Sequence, residues 1–201
     1  MEPQLQSNRL SGMLARSVLH GLSWRLELNP PLTQKFVLIG APHTSNLDFV
    51  FMLLLVYATG LKLHWVGKHT IFKGPFGWLM RRLGGIPVDR RTNNRFVEQM
   101  IQVFDQRQRL ILVIAPEGTR GKSQYWRTGF YHIAQGAGVP IVLGYIDYRH
   151  KVLGIGPSML PSGDIDRDFS QIREFYASKT GRRPELQGEI LLRPLEKTPA
   201  S

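Results

Sequence analysis

The chain has 201 residues, no cysteine and a formal net charge of +11. That length suffices for one domain with its own core, and the lack of cysteine excludes disulfides, thiol catalysis and Cys-ligated metal while fitting a reducing compartment. The charge is uneven: thirteen Lys/Arg against four Asp/Glu lie between Lys62 and Arg127, a field that attracts nucleic acid, anionic lipid or phosphorylated carriers.

Residues 1–8 read as a loose terminus, without the basic patch and apolar core of a secretory signal. From 10 to 28, Leu10, Met13, Leu14, Val18, Leu22 and Leu26 recur at three- and four-residue steps. This predicts one amphipathic helix, ended by Asn29-Pro30-Pro31. It would either dock on the core or lie on a membrane, and Trp24 beside Arg25 leans toward the membrane interface. Phe36 to Ala41 predicts a buried strand, Asn46 to Thr59 a helix stopped by Gly60, and Leu61 to Lys68 a strand. Helices follow at 76–83 and 92–107, with a short strand at 86–90 between them. Leu110 to Ala115 is the clearest strand, and Trp126 to Gln135 reads as a helix. Strands at 140–148 and 151–155 fit a hairpin across Arg149-His150; a helix at 166–179 and a short strand at 189–192 complete the chain. Alternating strands and helices predict an α/β layer fold with one central sheet. The longest strictly apolar run, Phe49 to Ala58, is about half of the roughly 20 residues that a spanning helix needs, so no transmembrane segment is expected.

Three loops at strand ends concentrate chemistry-bearing side chains. The first places His43 after a Gly/Pro turn and Asp48 five positions on. A base and its orienting carboxylate is one reading; the other is a capping box, Ser45-x-x-Asp48, before an apolar helix. The second is Gly84-Gly85-Ile86-Pro87-Val88-Asp89-Arg90, where glycines permit close backbone approach and the arginine offers a fork to a phosphate or pairs with Asp89. The third is Pro116-Glu117-Gly118-Thr119-Arg120, readable as a functional tip or as a turn closed by a Glu117–Arg120 ion pair. No nucleophile elbow, phosphate loop or dinucleotide turn is present. No second His or Cys stands at metal-ligand spacing, and no nucleic-acid-binding signature accompanies the charge.

Taken together, these motifs resemble the glycerolipid acyltransferase family typified by 1-acylglycerol-3-phosphate acyltransferase (PlsC-type). His43 and Asp48 match its His-x4-Asp, Gly84-Gly85 with Asp89-Arg90 its second motif, Pro116 to Arg120 its Pro-Glu-Gly-Thr-Arg, and Val139 to Val142 its Val-Pro-Ile-Val run. The resemblance implies a single central mixed β-sheet flanked by helices, as in glycerol-3-phosphate acyltransferase. Residues 1–35 would form an N-terminal amphipathic helix, and 36–201 the acyltransferase domain. It implies a fatty acyl thioester donor, acyl-CoA or acyl carrier protein, as co-substrate with no further cofactor. The acceptor would be the hydroxyl of a lysophospholipid. His43 would be the general base and Asp48 its support; Arg90, Glu117, Gly118, Thr119, Arg120 and Lys68 would bind substrate. A peripheral position on the cytoplasmic face of the cell membrane follows, with an anionic membrane surface as partner and no nucleic acid. Two alternatives stay open: the same chemistry on a non-phosphate lipid, and a non-catalytic basic module for membranes or nucleic acid.

Overall fold

The computed structural model describes residues 9–31, 33–88 and 93–194. Seven strands form one sheet: β1 (Arg25–Leu28), β2 (Lys35–Ala41), β3 (Leu63–Lys68), β4 (Gly85–Val88), β5 (Leu110–Ile114), β6 (Ile141–Asp147) and β7 (Val152–Met159). Their spatial order is β1-β7-β6-β2-β5-β3-β4. All neighbours pair in parallel except β6 and β7, the antiparallel hairpin foreseen across Arg149-His150. The sheet is therefore single, central and mixed.

Helices cover both faces, which is why β2 and β5 are apolar almost throughout. Along β2, Phe36 and Leu38 point to one side and Val37 and Ile39 to the other, as strand alternation requires. The first side packs against α1 (Arg9–Gly21) and α2 (Leu47–Thr59) through Ala15, Leu19, Phe51, Leu55 and Ala58. The second packs against α4 (Asn93–Gln106), α5 (Gly129–Gly136) and α6 (Ile165–Tyr176) through Met100, Phe104, Phe130, Ile133, Phe169 and Ile172. Each such large side chain, fully buried, contributes about 1.5–3 kcal/mol. A short helix, α3 (Gly77–Arg82), leads into the edge strand β4.

Three element assignments are corrected. The helix read from 10 to 28 ends at Gly21; Ser23 turns the chain at φ 62°, and residues 25–28 become β1 beside β7. The apolar steps simply continue across two elements. Trp24 is not at a membrane interface: it is buried against Phe51 and Tyr148, with ring centroids 4.1 and 5.1 Å away. The helix expected from Trp126 begins only at Gly129, because Trp126 is a core residue packed edge-on to Phe169 and Tyr176. The strand expected at 189–192 reduces to one bridge between Leu192 and Trp126. The loose terminus at 1–8 lies outside the described residues. No helix among the described residues is long and apolar enough to cross a membrane.

Candidate active site

Because β2 lies between β5 and β6 and runs parallel to both, the segments leaving these three strands emerge at one sheet edge. Ligands of α/β sheets bind outside such carboxyl ends. Ile39 is level with Ile114, so Glu117, three residues on, reaches the turn after β2: its Oε1 accepts the backbone N–H of His43 at 2.9 Å. Ala41 is level with Tyr145, so Tyr148 arrives from the other flank and donates to Asp48 Oδ1 at 2.7 Å.

His43 precedes α2 rather than lying on it, so its side chain can meet that of Asp48 in the first turn of the helix. Its Nδ1 lies 3.1 Å from Asp48 Oδ2. The same Oδ2 accepts the backbone N–H groups of Thr44 at 2.9 Å and Ser45 at 2.8 Å, while Ser45 Oγ accepts the N–H of Leu47. The capping reading and the catalytic reading thus describe one carboxylate. Asp48 is buried, with 4% of its surface exposed, and it is fully engaged: three N–H groups meet one oxygen and a phenol the other. An Nδ1–H donated to Asp48 leaves the Nε2 lone pair free. The His43 side chain is 27% exposed, and Nε2 has no partner among the described residues. Burial, then the bond to Asp48, raises the Tyr148 phenol well above its ordinary 10.0, so it stays a donor.

Beside this turn opens a cavity of about 340 Å³, lined by residues 44–47, Arg120, Arg182 and Arg183. Arg120 donates to Asn46 Oδ1 across its mouth. Of the other expected substrate-binding residues, none described lines this cavity. Glu117 turns inward: its carboxylate is buried, Oε2 has no hydrogen-bond partner among the described residues, and burial raises its pKa above the ordinary 4.5. It faces His43 rather than Arg120. Gly118 sits at φ 66°, with Arg127 packed where a Cβ would stand, 2.6 Å from Nε. Thr119 Oγ1 accepts the N–H of Gly121. Lys68 is exposed at the end of β3, two strands from β2. Arg90 lies outside the described residues. Sequence reasoning missed Tyr148, Arg182 and Arg183. Only the double arginine before Pro184 carried a signal, and it reads locally as a helix breaker. No group of three or more His, Asp or Glu among the described residues is placed to hold a metal ion.

Comparisons with known proteins bear on the fold and the family. The crystal structure of the 1-acyl-sn-glycerophosphate (LPA) acyltransferase PlsC from Thermotoga maritima superposes with a TM-score of 0.55. The match covers 83% of this chain and 75% of that one at 17% identity, a likeness of fold. No curated protein sequence matches the chain. The family model described as Acyltransferase matches residues 26–145, from β1 to β6 and through all the motif-bearing loops. Spanning more than half its length, that match shows that this chain belongs to the acyltransferase family.

Proposed function

We propose that the protein is an O-acyltransferase that moves a fatty acyl group from a thioester, acyl-CoA or acyl carrier protein, to the hydroxyl of a lysophospholipid such as 1-acylglycerol-3-phosphate. The observation that carries this reading is the chain Tyr148–Asp48–His43, which ends on an Nε2 without a partner among the described residues, one residue from Thr44 in the lining of the arginine-bearing cavity. His43 Nε2 takes the acceptor hydroxyl proton as the oxygen attacks the thioester carbonyl carbon. Asp48 stabilises the imidazolium, and Tyr148 and the turn N–H groups hold Asp48 in place. Collapse of the tetrahedral intermediate breaks the C–S bond, and the departing thiolate takes the proton back from His43. The products are an ester and a free thiol, so no acyl-enzyme is required. Glu117 holds the His43 backbone from behind.

The test is transfer of labelled acyl groups from acyl-CoA and from acyl carrier protein to a panel of lysophospholipid and non-phosphate acceptors, with products read by mass spectrometry. Ester formed on a lysophospholipid supports the reading. Ester on a non-phosphate lipid alone moves the acceptor class. Retention of nucleic acid in a gel shift without any transfer contradicts the reading.

A further inference from the structure

Resting on that acyltransferase reading, we propose that Arg182 and Arg183 join Arg120 to bind a phosphomonoester in the cavity beside His43, and so select the substrate that carries it. The two arginines come from the segment after α6, far outside the matched family region. That segment is clamped onto the catalytic turn. Thr180 O accepts the N–H of Tyr148, Thr44 Oγ1 accepts the N–H of Arg183, and Gln187 links Gly181 N to Lys179 O. Gly181 packs so closely that a Cβ would stand 2.8 Å from Thr44 Oγ1. The guanidiniums are thus delivered by a braced backbone onto the residues next to His43.

The chemistry of the lining points to the ligand. Three arginines face the cavity and no carboxylate does. Among the described residues, neither Arg182 nor Arg183 pairs with an acid. Cations gathered without counter-charge repel one another, and an anion relieves this. A phosphomonoester carries about −1.5 to −2 charge at pH 7 and three acceptor oxygens, which suits several guanidinium forks better than a singly charged diester. The positive end of the thirteen-residue helix α2 adds to the same field. Two substrates can carry such a group: a lysophosphatidic-type acceptor, or acyl-CoA through its 3′-phosphate. Acyl carrier protein offers only a diester.

The experiment compares the full-length protein with Arg182→Ala, Arg183→Ala and the double variant, with Arg173→Ala on α6 as a surface control. Thermal melts verify folding, and Arg182→Lys and Arg183→Lys keep charge while losing the fork. Binding of inorganic phosphate and glycerol 3-phosphate, followed by NMR or calorimetry, should weaken about tenfold or more in the double variant. If the acceptor supplies the group, KM for a phosphomonoester acceptor rises about tenfold with either donor, and KM for a lysophosphodiester changes little. If the donor supplies it, KM for acyl-CoA rises while acyl carrier protein is used as before. Either pattern supports the site and names its source. Unchanged phosphate binding and unchanged KM values in a folded, active double variant overturn it while leaving the acyltransferase reading intact. Weakened phosphate binding in a protein that transfers no acyl group sinks the acyltransferase reading instead.

Discussion

Under the proposed mechanism Asp48 carries two duties at once, and substitutions separate them. His43→Ala removes only the proposed base. Asp48→Asn also weakens the start of α2, where the carboxylate gathers two backbone N–H groups. The expected outcome is that both lose activity by about 10²- to 10⁴-fold, while Asp48→Asn alone costs about 1 kcal/mol of stability in denaturant titration. Tyr148→Phe should lower kcat roughly tenfold, the scale of one hydrogen bond to a charged group. Glu117 yields a pH signature. Its folded-state pKa lies above its ordinary 4.5 because of burial, so between those values the folded protein holds the proton more tightly than the unfolded chain. Stability therefore falls as pH rises through that window. Glu117→Gln keeps an acceptor for the His43 N–H and should flatten that slope in urea titrations at a series of pH values. His43 and Asp48 were legible because a short spacing and a known motif flag them. Tyr148 was not: its contact spans 100 residues and depends on strand register.

At the scale of elements, β2, α2 and β5 were legible because their apolar runs match one period and end at Gly or Pro, and the hairpin because two apolar runs flank Arg149-His150. The segment from 22 to 28 was misread because helical spacing in the residues happens to continue into an edge strand. Trp24 shows the consequence. Its indole packs on both Phe51 of α2 and Tyr148, the Asp48 donor. Trp24→Ala should cost about 3–5 kcal/mol in thermal or denaturant unfolding and lower kcat through Tyr148; an unchanged midpoint would place Trp24 outside the core. On β3, burial and then Arg107 lower the His64 pKa from 6.5 to about 4. The unfolded chain binds that proton first, so stability is lost as pH falls from 6.5 through 4. His64→Gln should reduce that acid sensitivity, with the His64 titration followed by NMR.

The molecule as a whole gathers its chemistry at one edge. Three parallel neighbours deliver His43, the Glu117 carboxylate that braces its backbone and the Tyr148 phenol that braces Asp48. The segment after α6 closes over them with two more arginines. Strand order cannot be read from a single chain, so the motifs were legible while the arrangement that makes them a site was not. The +11 charge had suggested nucleic acid as readily as lipid, and only the placement of Arg120, Arg182 and Arg183 beside His43 turns it into a substrate-binding argument. The central claim is that His43 takes the proton from the acceptor hydroxyl. It is tested most directly by the pH dependence of kcat for acyl transfer in wild-type protein and His43→Ala, both shown to be folded by circular dichroism. The account predicts that His43→Ala loses at least about 10²-fold in kcat across the pH range. A folded His43→Ala protein that transfers acyl groups at the wild-type rate, with the same pH profile, would contradict it.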